Sequence, residues 1–261
     1  MVFKRSGKNG LRFFIPDSLS DGGASVAFTT RVGGVSEKPF DSLNLALHTE
    51  DAPAAVLKNR ALASVGVDIQ PDKSTFTEQV HGDKVVWIAK DMVGAGARSF
   101  DTAVPESDAM VTDLRNVALV VLSADCLPII LVEPGKNLIG AAHAGWRGTL
   151  AKVVGKTVEM MVEAGADVSA IKAFLGPAIG ECCFEVGADV YDRFSDAFGI
   201  RPSIGSPRLD LAALNEMILE NTGVKSENID NIGFCTVCHP ELFFSWRRDG
   251  VTGRQGAFVS Q

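Results

Sequence analysis

The chain of 261 residues lacks an apolar run long enough to cross a membrane. Its longest run, VALVVL, is ended by Asp125 and Pro128, whereas a membrane-spanning helix needs about 20 apolar residues. The first residues, MVFKRSGKNGLRFFIPDS, also contain no apolar stretch of signal-peptide length. We therefore expect a cytoplasmic protein that has no membrane partner.

Positive charge is scarce as well. The 25 Lys and Arg residues are outnumbered by 32 Asp and Glu residues, which gives a formal net charge of −7. Nucleic acids and anionic membrane surfaces both require a basic face on the protein that binds them. The composition therefore argues against either as the main partner, but it is compatible with a local basic pocket for a small anion.

Histidine and cysteine are few. The chain has four histidines (His48, His81, His143, His239) and five cysteines (Cys126, Cys182, Cys183, Cys235, Cys238). In a reducing compartment, an odd number of cysteines indicates free thiols or metal ligands rather than a disulfide framework.

Short apolar runs alternate loosely with amphipathic segments. Strands are expected in SVAFTTR, STFTEQVHGDKVVWI, DAMVTD, VALVVLSA, PIILVEP, LIGAAHA, IKAFLG and NIGFCTV. Helices are expected at 51–66 and 188–199, at 149–164 with Thr149 as N-cap, and at 210–222 with Asp210 as N-cap. Three successive strands without a helix between them favour antiparallel or mixed pairing over a Rossmann unit. We predict an α+β (mixed α/β) fold in which residues 1–261 form a single domain.

The segment FCTVCHPELFFSW contains Cys235-x-x-Cys238-His239, the spacing that attaches a c-type haem. No export signal accompanies it, and Pro240 disfavours the helix that a redox pair would begin. A zinc knuckle would need a second spaced pair, and the adjacent Cys182 and Cys183 are a poor match. The favoured interpretation is two buried cysteines and a loop histidine.

His81, Cys126 and His143 each lie at or near the end of a strand-like run, beside small or kinked neighbours. Two imidazoles and a thiolate suit Zn²⁺, and three protein ligands with an open fourth position are typical of catalytic zinc. Each histidine could equally be a hydrogen-bonded structural residue, so both interpretations stay open at this point.

Two arginine-containing segments could bind an anion. In HAGWRGTL, Arg147 lies among glycines at the start of an expected helix, which suits phosphate, although an ordinary strand-to-helix turn has the same pattern. In WRRDGVTGRQG, Arg247, Arg248 and Arg254 form either a second anion contact or, as we favour, a solvated loop.

The segments FTTRVGGVSEKPFDSLNLALH, TEQVHG, SADCLPIIL, AAHAGWRGT, GPAIGECCFEVG and FFSWRRDGVTGRQ resemble those of the laccase-domain (polyphenol oxidase, YfiH-like) family. Members of this family are regarded as purine nucleoside phosphorylases with adenosine deaminase side activity. The resemblance implies a layered sandwich of mixed β-sheets flanked by helices. It also implies that His81, Cys126 and His143 hold a metal, usually zinc, with copper possible at the same site.

The implied substrates are phosphate and adenosine, guanosine, inosine or methylthioadenosine, cleaved to the free base and a pentose 1-phosphate. Arg147 or Arg248 would then position phosphate. Asp125 would act as a group behind the metal ligands or as a proton carrier, unless it only caps a turn. The resemblance also matches Cys235 and Thr236 to a strand of the family.

Three alternative functions place different demands on the sequence, and the first two of them remain open. A cysteine hydrolase would use Cys126 as nucleophile and His143 as base. A non-catalytic binding protein would complete a structural metal site with a fourth ligand, His239 or Cys238. A copper-dependent polyphenol oxidase of the multicopper type would need many imidazoles, and four histidines cannot supply them.

Overall fold

A computed structural model describes residues 3–8, 10–16, 23–66, 68–200 and 207–261. In this part of the chain there are twelve strands: β1 (Phe3–Lys8), β2 (Leu11–Pro16), β3 (Ser25–Thr29), β4 (Ser74–Phe76), β5 (Val85–Trp87), β6 (Ala109–Thr112), β7 (Ala118–Ser123), β8 (Leu127–Glu133), β9 (Leu138–Ala144), β10 (Lys172–Leu175), β11 (Ile229–Asn231) and β12 (Gln255–Ser260).

The same residues contain six α-helices: α1 (Pro53–Gly66), α2 (Trp146–Leu150), α3 (Val153–Glu163), α4 (Ala188–Phe198), α5 (Leu211–Asn221) and α6 (Trp246–Asp249). One-turn 3-10 helices lie at Pro71–Lys73, Lys90–Met92, Phe100–Thr102, Val168–Ala170 and Ser226–Asn228. None of the helices in the described ranges combines the length and the apolar character that a membrane span requires.

The strands form two six-stranded sheets of mixed direction, in the orders β1-β2-β3-β12-β7-β4 and β11-β10-β8-β9-β6-β5. β8 and β9 pair as an antiparallel hairpin, whereas β4 pairs with β7 and β5 with β6 in parallel. This confirms the predicted mixed pairing and the absence of a Rossmann unit from the stretch that contains β7, β8 and β9.

Alternate residues of the central strands enter different cores. Val121 of β7 and Ile130 of β8 pack in the core between the two sheets. Val120 faces a second core that includes Ala63 of α1, and Ile129 faces a third core that includes α3, α4 and α5. Because both faces of these strands are covered, their sequences are continuously apolar. The result is the predicted sandwich of mixed sheets flanked by helices.

Three predicted elements have different bounds in the structure. The expected helix at 149–164 is divided into α2 and α3 by Lys152, whose backbone is left-handed (φ 59°). Thr149 is therefore not an N-cap: it is buried within α2, and its Oγ1 accepts a hydrogen bond from Asn215 Nδ2 (2.9 Å). The prediction of Asp210 as N-cap of α5 is confirmed, since its side chain accepts a hydrogen bond from the N–H of Ala213.

The other two differences concern strands near the candidate site. STFTEQVHGDKVVWI forms β4 and β5, separated by a loop in which His81 has a φ of 61°. Of the predicted strand NIGFCTV, only Asn231 lies in a strand, as the last residue of β11. The chain turns after it, because Asn231 Oδ1 accepts a hydrogen bond from the N–H of Gly233. Beyond this turn, Cys235 forms a single bridge with Ala178.

Candidate active site

The structure brings His81, Cys126 and His143 together, with their ligand atoms all within 4.8 Å of one another. Cys126 directly precedes β8, and His143 lies in β9 opposite Pro128, so the β8–β9 hairpin places the thiol beside the imidazole. His81 comes from the loop between β4 and β5, and its ring centre lies 5.0 Å from that of His143.

Asp108, directly before β6, holds both histidines in place. This fully buried carboxylate lies with Oδ1 2.8 Å from His143 Nδ1, and the same oxygen accepts a hydrogen bond from the N–H of His81 (2.9 Å). Oδ2 accepts hydrogen bonds from the N–H groups of Val80 (3.2 Å) and Gly82 (2.7 Å). Because a carboxylate only accepts, the proton of neutral His143 is on Nδ1, which leaves Nε2 free to ligate.

These contacts also explain the backbone of the His81 loop. A left-handed conformation at a non-glycine residue costs free energy, and three consecutive N–H bonds to one carboxylate offset this cost. Burial raises the pKa of Asp108, but the hydrogen bond from His143 and those from the loop outweigh it, so the pKa is held below its usual value.

Cys126 and His143 form a charged pair. Burial opposes ionisation of both groups, but their mutual attraction outweighs it, assisted by hydrogen bonds from His81 to the thiolate and from His143 to Asp108. The pKa of Cys126 is lowered to about 6 and that of His143 is raised to about 9. The thiolate is the form that binds metals, and His143 would release its Nε2 proton when a metal ion binds.

The donor set fits zinc. Two imidazoles and one thiolate are ligands that Zn²⁺ accepts in a tetrahedral arrangement, with a fourth position left open. His143 is only 3% exposed, whereas His81 is exposed, so the three groups are accessible from the His81 side. Among the described residues, neither Cys238 nor His239 joins this group as a fourth ligand.

Gly145, the N-cap of α2, provides the space for this arrangement. A Cβ at this position would lie 2.8 Å from Cys126 Sγ and 3.3 Å from His81 Cδ2. The Gly145 backbone (φ −74°) is open to any residue, so the requirement for glycine is steric. The AHAGW segment thus contributes both a ligand and the gap beside it.

A cavity of about 550 Å³ opens onto the three predicted ligands. This volume is within the range of roughly 300–1,000 Å³ that is typical of small-molecule sites. The lining combines aromatic, cationic and polar side chains, among them His48, Glu78, Phe100, Ser123, Phe184, Trp246, Arg247 and Arg254.

Arg254 is the cation best placed for an anion in this cavity. Its Nη1 donates to the carbonyls of Thr252 (2.8 Å) and Gly253 (2.9 Å), which fixes the guanidinium. In the described part of the chain, its Nε and Nη2 have no hydrogen-bond partner. Burial lowers the pKa of Arg254, and the nearby Cys126 and Asp125 partly offset this. An anionic ligand would remove this penalty.

His48 lines the cavity as a neutral imidazole. Desolvation by the surrounding groups is the main cause that lowers the pKa of His48 to about 4, and the charge of Arg254 is the second. One side of the ring is nevertheless accessible from the cavity. Its ring centre is 5.5 Å from that of Phe100. At neutral pH, His48 can therefore donate or accept a hydrogen bond without carrying charge.

Neither Arg147 nor Arg248, the arginines predicted to position phosphate, lines this cavity. Arg147 is exposed on α2. Arg248 donates from Nη1 to the carbonyl of Thr236 (2.8 Å) and from Nη2 to that of Phe243 (2.9 Å), so its guanidinium supports the local loop. Their placement favours Arg254 as the anion contact.

The predicted role of Asp125 as a proton carrier is also not favoured by its contacts. Oδ1 accepts a hydrogen bond from Thr236 Oγ1 and Oδ2 accepts one from Arg247 N–H, both at 2.6 Å. With a φ of 98°, Asp125 is a conformationally unusual residue that ties two loops together beside Cys126. The structure thus favours the turn-capping alternative.

The Cys-x-x-Cys motif has a different environment from the one predicted. The Sγ atoms of Cys235 and Cys238 lie within 4.8 Å of those of Cys182 and Cys183. Cys238 is exposed and Cys235 half-buried, so the interpretation as two buried cysteines is wrong. The adjacent pair Cys182 and Cys183, expected to be a poor partner for this motif, lies within metal-binding distance of it. His239 lies outside the group, 3.3 Å from Glu241 Oε1.

Two site residues escaped the sequence analysis. Asp108 is a carboxylate directly before a buried strand, but its partners are 26 to 35 residues away, so only the fold reveals its role. His48 lies in NLALH, a segment without strand or helix periodicity. The scarcity of histidine was the signal that could have drawn attention to it.

The chain is similar to several known proteins. A family model described as multi-copper polyphenol oxidoreductase laccase matches residues 25–261. Purine nucleoside phosphorylase YlmD of Bacillus subtilis (strain 168) is 38% identical over 240 residues, which cover 89% of this chain and 86% of the relative. The protein of the same name from Geobacillus stearothermophilus is 36% identical, covering 100% of this chain and 97% of the relative.

Solved structures show the same fold. The crystal structure of YlmD from Geobacillus stearothermophilus superposes with a TM-score of 0.93 at 36% identity, covering 100% of this chain and 98% of that one. YfiH of Bacillus licheniformis gives a TM-score of 0.91 at 32% identity, covering 99% and 98%. The chain therefore belongs to the laccase-like YfiH/YlmD family, whose model is described as multi-copper polyphenol oxidoreductase laccase.

Proposed function

We propose that this chain is a zinc-dependent purine nucleoside phosphorylase with adenosine deaminase activity, acting through a single domain of residues 1–261. Its substrates would be adenosine, guanosine, inosine or methylthioadenosine, cleaved by phosphate to the free base and a pentose 1-phosphate. The observation that carries the proposal is a set of three ligands, His81, Cys126 and His143, at the wall of a cavity that also holds a fixed arginine. The choice of nucleoside is supported by the names of the relatives.

Both sheets contribute to this cavity, which supports a single catalytic domain. Leu122 and Ser123 at the end of β7 come from the first sheet, and His143 in β9 comes from the second. Arg254 directly precedes β12. A substrate in the cavity would therefore contact residues from widely separated parts of the chain.

Arg254 would bind phosphate. Its guanidinium is held by two carbonyls, so little side-chain entropy is lost on binding, and its free edge can form charge-assisted hydrogen bonds with phosphate oxygens. Arg247 also lines the cavity, but its Nη1 donates to the carbonyls of Cys183 (3.2 Å) and Glu185 (3.0 Å). We therefore assign Arg247 a structural role in the cavity wall and Arg254 the role of binding the anion.

The aromatic side chains would bind the base. Phe100, Phe184 and Trp246 line the same cavity, and a purine can stack on such surfaces while they exclude water from the glycosidic bond. Neutral His48, beside Phe100, would form a hydrogen bond with the base or with a ribose hydroxyl.

A zinc ion held by the three ligands would supply a Lewis acid and a bound water with a pKa of about 7, the species needed for deamination. The chain's own contribution is to keep the ligands in their binding forms. Asp108 holds the proton of His143 on Nδ1, and in the metal-free site the imidazoles of His143 and His81 stabilise the Cys126 thiolate. One open site would thus serve two reactions.

The test is to incubate the purified protein with adenosine, with and without phosphate and with and without a chelator, and to separate the products. We expect adenine only with phosphate, inosine regardless of phosphate, and neither after chelation. Unchanged adenosine under every condition, from protein shown to carry metal at the His81 site, would refute the proposed substrate.

Arg254→Gln tests the anion contact. A hydrogen bond to a charged group contributes about 1.5–3 kcal/mol, so the KM for phosphate should rise about 10- to 100-fold, with a smaller effect on deamination. Arg98→Gln is the control, because this arginine is exposed and pairs with Asp72. An unchanged phosphate KM in Arg254→Gln would remove Arg254 from the site.

A cysteine hydrolase is the second candidate, and one observation favours it. Asp108, His143 and Cys126 form a chain of carboxylate, imidazole and thiolate like that of nucleophilic hydrolases. This alternative predicts activity that survives the chelator and is lost on alkylation of Cys126. The proposed phosphorylase shows the opposite response to the chelator.

Copper-dependent polyphenol oxidation can be tested at the same site. In the described residues, His81 and His143 are the histidines that share a metal group, and His48 and His239 lie apart from it. Copper-loaded and zinc-loaded protein should therefore be compared on a diphenol and on adenosine. We expect turnover of adenosine by the zinc form.

A further inference from the structure

Four of the five cysteines meet at a second place on the protein. Cys182 and Cys183 lie in the turn that follows β10, and Cys235 and Cys238 lie in the loop between β11 and α6. Their four Sγ atoms are all within 4.8 Å of one another, although the two pairs are more than fifty residues apart in the chain. All four are free thiols.

The spacing of the sulfurs matches a shared metal ion. Cys238 Sγ lies 3.7 Å from Cys182 Sγ and 3.6 Å from Cys183 Sγ, and the latter two are 3.7 Å apart. Four thiolates bound to zinc at about 2.3 Å occupy the corners of a tetrahedron with edges of about 3.8 Å. A disulfide would instead bring two sulfurs to about 2.05 Å.

The backbone supplies a donor to the sulfur of Cys235. The N–H of Gly180 donates to Cys235 Sγ (3.3 Å). A hydrogen bond of this kind orients a ligating sulfur. Gly180 permits this approach, since a Cβ there would lie 3.3 Å from Cys235 Cβ and 3.4 Å from Cys182 Sγ.

Burial does not explain this cluster. Cysteines that serve as small apolar residues are usually deeply buried, but Cys182 and Cys238 are exposed and the other two are half-buried. Four thiols gathered at the surface gain little from the hydrophobic effect. A bound cation, in contrast, would hold them together.

We propose that Cys182, Cys183, Cys235 and Cys238 bind a second metal ion, a structural Zn²⁺. Four thiolates complete a tetrahedral shell and leave no open position, so this ion would take no part in the chemistry. The site is separate from the His81 group and does not depend on the proposed phosphorylase activity.

The second ion would support the wall of the active site. Thr236, between two of the ligands, donates its hydroxyl hydrogen bond to Asp125 Oδ1, and Asp125 directly precedes Cys126. On the other loop, the carbonyl of Cys183 accepts a hydrogen bond from Arg247, which lines the cavity. Zinc would thus fasten together the two loops on which these contacts depend.

The first test measures zinc per chain by elemental analysis together with native mass spectrometry, using full-length protein purified under reducing conditions with zinc. We expect about two zinc ions per chain in the wild type, and about one in Cys235→Ser/Cys238→Ser. His81→Ala/His143→Ala should also retain about one, held by the four thiolates. Loss of all zinc in this last variant would overturn the proposal.

Cobalt substitution identifies the ligands without enzyme activity. Cobalt-loaded His81→Ala/His143→Ala should show strong sulfur-to-cobalt charge-transfer absorption, roughly fourfold that of the cobalt at the His81 site of Cys235→Ser/Cys238→Ser, which has Cys126 as its one thiolate ligand. Equal absorption in the two variants would contradict a tetrathiolate site.

A further measurement covers the case in which Cys235→Ser/Cys238→Ser does not fold. Titration of wild-type protein with a thiol-specific mercurial should release two zinc ions, one as Cys126 reacts and one as the four clustered cysteines react, and a chelating dye reports this release. Wild-type protein with one zinc per chain and disulfides among these cysteines would overturn the proposal in favour of a redox pair.

Discussion

Asp108→Asn should weaken both the fold and the metal site. Each carboxylate oxygen of Asp108 accepts two hydrogen bonds, from His81 N–H and His143 Nδ1 at Oδ1 and from Val80 N–H and Gly82 N–H at Oδ2. An asparagine amide has one oxygen, so in either orientation its NH₂ group faces two donors. In one orientation, His143 can respond only by moving its proton to Nε2, the nitrogen needed for zinc.

The magnitude follows from these lost acceptors. A buried donor left without a partner costs about 1–3 kcal/mol, so two of them destabilise the protein by roughly 2–6 kcal/mol. For a chain of this size, this corresponds to a fall in Tm of roughly 5–20 °C. Loss of the carboxylate behind a ligating histidine typically weakens metal binding about 10- to 100-fold.

The two effects should be measured separately. Calorimetry in excess chelator gives the Tm of the metal-free fold, which avoids the stabilisation that bound metal adds. Competition with a chelating indicator, on Cys235→Ser/Cys238→Ser protein, gives the zinc affinity of the His81 site alone. Asp113→Asn, at an exposed position, is the control. An Asp108→Asn variant with wild-type Tm and zinc Kd would refute the role assigned to Asp108.

Three further predictions concern other residues. Gly145→Ala should weaken zinc binding at the His81 site about tenfold or more, because the new methyl group would lie 2.8 Å from Cys126 Sγ. The Tm of the metal-free protein should change little. An unchanged zinc affinity in the indicator assay would contradict this prediction. In metal-free protein, the lowered pKa of Cys126 means that its thiolate persists as the pH falls to about 6, so iodoacetamide labelling followed by mass spectrometry should have its midpoint there. A midpoint near the ordinary thiol value of about 8.5 would refute the ion pair with His143. Arg60→Lys should lower the free energy of unfolding, measured in urea, by roughly 2–4 kcal/mol. The buried guanidinium of Arg60 donates to several carbonyls and stacks on a ring, and an ammonium group cannot make the same contacts. A loss below about 0.5 kcal/mol would contradict this account.

The central strands could be predicted because a strand that is buried on both faces has a continuously apolar sequence. Val120 and Val121 enter different cores, so VALVVL is apolar throughout. NIGFCTV has a similar composition but turns after Asn231, because a side-chain hydrogen bond to Gly233 competes with strand pairing. Composition alone does not distinguish the two cases.

The site was predictable to the extent that its residue types are rare. His81, Cys126 and His143 stood out among four histidines and five cysteines, and the structure brings them together. Asp108 did not stand out among 32 acidic residues, since its role depends on partners that only the sheet places beside it. Cys182 and Cys183 are a poor match to a zinc motif by their spacing in the sequence. Spacing along the chain, however, does not determine the distance in space between two turns.

The place of β12 in the first sheet bears on the order in which the chain folds. β12 lies between β3 and β7, and Gly256 N–H donates to Thr29 Oγ1 across 227 residues. Closing such a long loop is slow, whereas the β8–β9 hairpin is local and can form early. During synthesis, the edges of β3 and β7 that face β12 therefore stay unpaired until β12 emerges. We expect the metal ligands to assemble before Arg254 arrives and the cavity closes.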